Sequence, residues 1–211
     1  MSETLERFLT QYHAKGKQQG GYDRSHFDGL TPEELEMAED MLVRDALALD
    51  STAIRGLGVL GTRRAENILR VLLATVLPPS YLHLHAAEAL WEITRDQALQ
   101  ETMLEDFSDD TELRRLAFVG LLRTDPSQIM LKICLDLLII EDPESIMRVL
   151  AACGVLQFYH LMNVYTDVAG FQRHITLISK LCDSTDEGML DAAIAEVKKE
   201  TSSLGQRERL M

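Results

Sequence analysis

Gly56-Leu57-Gly58-Val59-Leu60-Gly61 spells G-x-G-x-x-G, the pattern with which βαβ folds wrap a dinucleotide pyrophosphate. That chemistry needs a strand before the first glycine, a helix opening at the motif, and a carboxylate about 20 residues on for the ribose. Here Ala46 to Ile54 reads as helix and turn, and Val76-Leu77-Pro78 stands where the acid belongs. Gly56 is therefore expected to pack and Gly61 to cap a helix C-terminus, with no cofactor. His83 and His85 suggest a metal, but side chains two apart on a helix point ~200° away from each other and cannot chelate one ion. Surface or boundary histidines are expected there, and no metal site. Asp23-Arg24-Ser25-His26 with Asp28 contains the residue types of a nucleophile, a base and an acid. No nucleophile elbow fixes their geometry, so loop-anchoring hydrogen bonds are the expectation and no catalytic residue is assigned. Cys134, Cys153 and Cys182 form no C-x-x-C pair and sit among apolar neighbours, as free buried thiols in a reducing compartment do.

The carboxylates carry the functional signal. The 211 residues contain 21 Lys plus Arg against 34 Asp plus Glu, a net charge of −13. Such a field repels phosphates, which argues against nucleic acid and anionic membranes and for a basic protein partner. Glu101, Glu105, Asp106, Asp109, Asp110 and Glu112 crowd one expected inter-helix turn; Asp136, Glu141, Asp142 and Glu144 crowd another. Stacked helix pairs would align these turns into a negative stripe, whose exposed charges are expected to add little to stability. Glu88 and Glu92, with Arg95, offer a second, helix-borne surface. The only tryptophan, Trp91, is expected in or at the edge of the core.

Helices must position these groups. Thr31-Pro32-Glu33-Glu34 is a capping box with proline at the first helical position. Asp125-Pro126, Asp142-Pro143 and Ser184 with Glu187 are read as further starts. Leu35, Ala38, Leu42 and Leu49 form one apolar stripe at helical spacing; Ile146, Val149, Leu150, Cys153 and Leu156 form another. The helices also repeat: Ala53, Gly56 and Leu57 become Ala86, Ala89 and Leu90 after 33 residues, Ala117, Gly120 and Leu121 after 31, and Ala151, Gly154 and Val155 after 34. Small residues at i and i+3 let one helix backbone approach its neighbour, and this period suits a two-helix unit.

Segments such as Leu84-His85-Ala86-Ala87-Glu88-Ala89-Leu90 and Arg114-Arg115-Leu116-Ala117-Phe118-Val119-Gly120 resemble the second helix of HEAT-like repeats, including the subgroup named after phycobilisome lyases. The resemblance covers roughly residues 51–157. It implies an all-α solenoid of about five stacked antiparallel helix pairs over residues 31–203. Before it would stand a helix (about Glu3 to Ala14) and a Gly-rich connector in 1–30, and after it a frayed tail at 204–211. In size, charge and architecture the chain also resembles the HEAT-like immunity proteins of bacterial polymorphic-toxin systems, which implies a cytosolic inhibitor of a cognate basic toxin. A general scaffold or adaptor is the alternative, and a HEAT-like lyase the third reading. No stretch has the ~20 apolar residues of a membrane span, and no signal peptide is read at the N-terminus, so the chain is expected in the cytoplasm.

Overall fold

The computed structural model describes residues 2–14, 21–142, 145–163 and 167–208. Among these there are twelve α-helices, one 3₁₀ turn (Arg24–His26) and no strand. The helices are α1 (Glu3–His13), α2 (Pro32–Leu47), α3 (Ser51–Leu60), α4 (Arg63–Thr75), α5 (Tyr81–Thr94), α6 (Ala98–Leu104), α7 (Thr111–Arg123), α8 (Gln128–Ile140), α9 (Ile146–Phe158), α10 (Val168–Arg173), α11 (Ile175–Cys182) and α12 (Glu187–Glu208). Two compact units divide the chain, Met1–Gly120 and Leu121–Met211.

Local chemistry starts most of the helices. Thr31 accepts from the Glu34 amide while the Glu34 carboxylate accepts from the Thr31 amide, the reciprocal box read from the sequence. The same carboxylate receives the amide and hydroxyl of Ser2, both at 2.8 Å, and so ties the start of α1 to the start of α2. Asp50, Thr62 and Ser80 cap α3, α4 and α5. The Asp-Pro starts are corrected: Ser127 and Ser145, each a few residues later, cap α8 and α9, and Pro143 lies outside the described residues. Likewise Asp186, not Ser184, accepts from Met189 N at the head of α12, because the Ser184 hydroxyl donates back to Lys180 O.

In the first unit, α2, α3, α4 and α5 pack sequentially and α3 also lies along α5. Gly58 lets that approach happen: a Cβ there would stand 2.8 Å from both Ala89 Cα and Ala89 Cβ. The sequence repeat aligns Gly56, not Gly58, with Ala89. Gly56 instead receives the Tyr22 ring, whose Cδ2 would be 2.7 Å from an added Cβ. Leu5, Phe8, Tyr22 and Phe27 thus join this unit's core. Phe8 is fully buried and stacks on Tyr12 and Tyr22, with Phe27 tilted against it. Lys15 to Gly20 of the connector lie outside the described residues. Leu49 leaves the predicted stripe because α2 ends at Leu47, and Leu49 takes φ 66 in the turn.

In the second unit, α9 is buried nearly all round, against α8 on one side and α11 on the other. Cys153 and Leu156 are buried as expected, but Ile146 at the helix start is exposed. Gly154 faces Cys134 Sγ and Leu122 Cδ2. Arg148, buried on α9, donates through Nη1 to Glu141 O at 2.8 Å and through Nη2 to Ser184 O, joining the α8–α9 turn to the α11–α12 turn. The three cysteines are free and buried; burial raises all three thiols, Cys153 to about 12, which keeps them neutral and unreactive at pH 7. The region expected as a tail at 204–211 is helical as far as Glu208. No helix among the described residues is long and apolar enough to cross a membrane.

Candidate functional site

The α4–α5 and α6–α7 turns of the first unit lie side by side at the N-terminal end of α5. One hydrogen bond fixes this arrangement: Ser80 N in the α4–α5 turn donates to Asp106 Oδ1 in the α6–α7 turn at 2.8 Å. The first acidic cluster lies on that end, but its members divide into different roles.

Asp106 is corrected: it is fully buried and cannot meet a partner. Besides Ser80 N, its Oδ2 bonds His83 Nδ1 at 2.7 Å, and His83 is itself 3% exposed rather than on the surface. Ser80 Oγ meanwhile accepts from His83 N. The Ser80, His83 and Asp106 grouping is therefore a clamp that fixes the start of α5 to the α6–α7 turn. Sequence reasoning missed it because Asp106 sits among solvated acids and its partners are 23 and 26 residues away.

Asp109, Asp110 and Glu112 are exposed, as expected for a partner surface. Glu112 holds Arg115 by two hydrogen bonds at 2.7 and 3.0 Å, which keep its carboxyl below the usual glutamate range. Asp110 Oδ1 accepts from Glu112 N and Leu113 N at 2.9 and 3.0 Å, which makes it the N-cap of α7. This cap sets Asp110 apart from the turn charges that are expected to add little to stability. Asp110→Ala should cost about 1 kcal/mol in urea unfolding, and Asp110→Lys more, since it sets a cation at a positive helix end. Tyr81, the first residue of α5, faces the same cluster. Its phenol is raised first by partial burial and then by the charges of Asp110 and Glu112.

The second surface is less open than expected. Glu88 is largely covered, bonds His85 Nδ1 at 3.2 Å and fills the space beside Gly120. Glu92 is exposed and pairs with Arg95, whose guanidinium lies 3.9 Å from the centre of the Trp91 ring. Trp91 is buried in the core, the position expected for it. In the second unit, Asp142 is exposed, Glu141 is half-buried with its carbonyl engaged by Arg148, and Glu144 lies outside the described residues. The two acidic turns belong to different units.

The other constellations resolve into structure. Gly56 and Gly58 lie inside α3 and Gly61 is its left-handed C-cap at φ 71, so the glycine motif closes a helix instead of opening one. Asp23 caps the 3₁₀ turn, accepting from Ser25 N and Ser25 Oγ, and its Oδ1 lies 3.0 Å from His26 Nδ1. The aspartate sits between serine and histidine, whereas base-assisted nucleophilic attack needs the histidine in the middle. Among the described residues no group of three His, Cys, Asp or Glu side chains could hold a metal ion.

No protein-family model matches the chain, and no curated protein or solved structure matches it either.

Proposed function

We propose that this chain is a protein-binding helical-repeat protein of the HEAT-like solenoid type, whose acidic turns receive a basic partner. The observation that carries the reading is the gathering of Asp109, Asp110 and Glu112, all exposed, at one helix turn of a chain with net charge −13. Packing of α3 along α5 through Gly58 and Ala89 is the kind of close approach that stacked helix pairs require. The biological form we propose is an immunity protein that binds and inhibits a cognate basic toxin in the cytoplasm, on the strength of the resemblance in size, charge and helix repeat. A scaffold or adaptor uses the same surface without inhibiting anything.

Chemical crosslinking and affinity capture from the native host tests the reading, with wild type compared against Asp109→Lys/Glu112→Lys. Wild type should crosslink to a basic protein through the α6–α7 turn, and the variant should lose it. An acidic partner, or one crosslinked elsewhere and retained by the variant, contradicts the proposal. Inhibition of the partner's activity separates the immunity protein from the scaffold.

A further inference from the structure

The end of the first unit that carries the acidic turn also carries two exposed large apolar side chains. Leu77, in the α4–α5 turn, is 82% exposed, more than any other large hydrophobic residue among those described. Tyr81, four residues further on, is 41% exposed. Folding does not account for these positions. An exposed leucine contributes little to a core.

The α4–α5 turn is also stiff. Pro78 and Pro79 fix the backbone beside Leu77, and the Ser80–Asp106 hydrogen bond anchors the far side. An apolar side chain held on a rigid turn loses little entropy when a partner covers it, and tyrosine is among the residues that dominate interface energetics.

We infer that this end of the first unit is a docking surface for a basic segment of another protein, one whose lysines or arginines flank aliphatic side chains. Leu77 and Tyr81 supply the apolar anchors, and Asp109 and Glu112 supply the charge. The inference rests on the basic-partner reading above and adds the apolar half of the interface to it. Charge complementarity selects this occupant. A second copy of the chain would bring another acidic turn and a second net charge of −13 against the first. The second unit repeats the combination on its own α8–α9 turn, where Ile140 and Ile146 are exposed beside Asp142.

Two synthetic peptides of equal positive charge test this, one of lysine and leucine in helical register and one of lysine with polar spacers. Their affinities are measured by calorimetry against wild type, Leu77→Ser/Tyr81→Ser and Asp109→Lys/Glu112→Lys. Circular dichroism confirms that each variant is folded. Wild type should prefer the leucine-containing peptide by about tenfold or more, the scale of a hot-spot loss. The serine variant should bind both peptides alike, and the lysine variant should bind both weakly. Equal affinity of wild type for the two peptides, or a preference that survives in the serine variant, overturns the inference while leaving the charge-based reading intact. Unchanged binding by the lysine variant overturns both. Sedimentation of wild type alone as a dimer that the serine variant abolishes would make the occupant a second copy, and so would also overturn the inference.

Discussion

Replacing Asp106 with alanine is expected to lower the stability of the protein by about 3 kcal/mol or more, although Asp106 belongs to a run of acids that looks solvated. The carboxylate is fully buried and accepts from Ser80 N at 2.8 Å while bonding His83 Nδ1 at 2.7 Å. Alanine leaves the buried His83 ring nitrogen and the amide of half-buried Ser80 without their acceptor, at about 1–3 kcal/mol for an unsatisfied buried group. At roughly 2–4 °C per kcal/mol for a chain of this size, the melting temperature should fall by about 10 °C. Asp109→Ala, three residues away and exposed, is the control and should stay within about 0.5 kcal/mol of wild type. Calorimetric scans of the two variants that agree within that margin would remove the clamp from the account. Asp106→Asn keeps an acceptor for Ser80 N and should recover part of the loss.

Gly58→Ala is expected to destabilise the protein, against the rule for a glycine inside a helix. Alanine is favoured over glycine in a helix interior by about 1 kcal/mol. At Gly58 the new methyl would sit 2.8 Å from Ala89 Cα and 3.0 Å from Ala89 O, and backbone cannot swing aside as a side chain can. Helices α3 and α5 must separate, at about 1–3 kcal/mol of overpacking. At Gly120 the atoms nearest to a new methyl all belong to the Glu88 side chain, with Oε1 at 2.5 Å, and a flexible carboxylate can move. That variant should be neutral or slightly stabilised. Urea midpoints that rise equally for both variants would contradict the close approach of α3 to α5.

Much of the first unit is legible in the residues alone. The capping box at Thr31 and Glu34, the left-handed stop at Gly61 and the burial of Trp91 are local consequences of chemistry visible within a few residues. What escapes is set by partners distant in sequence. His83 reads as a surface histidine until α6 and the turn after it fold back and bring Asp106 to it. Gly56 reads as the stacking glycine because it repeats in register, but Tyr22, 34 residues earlier, occupies its face, and the helix approach shifts to Gly58. The acidic turn was legible as charge and not as geometry. Type and spacing do not distinguish a carboxylate that caps a helix, as at Asp110, from one turned inward, as at Asp106, or one left to solvent, as at Asp109. Leu77 beside two prolines did leave a signal, an aliphatic residue in a turn with no helix to bury it.

The most direct test of the central claim is the association rate of the captured partner, measured by stopped flow across ionic strength. Screening shortens the Debye length from ~30 Å at 0.01 M to ~8 Å at 0.15 M, so attraction between an acidic turn and a basic protein should fade over that range. Wild type should associate fast at low salt and slow steeply as salt is added. Asp109→Lys/Glu112→Lys, which leaves the Asp110 side chain as the α7 cap, should associate slowly with little salt dependence, because exposed charges set the encounter rate. Equal rates for the two proteins at every salt concentration would contradict the account.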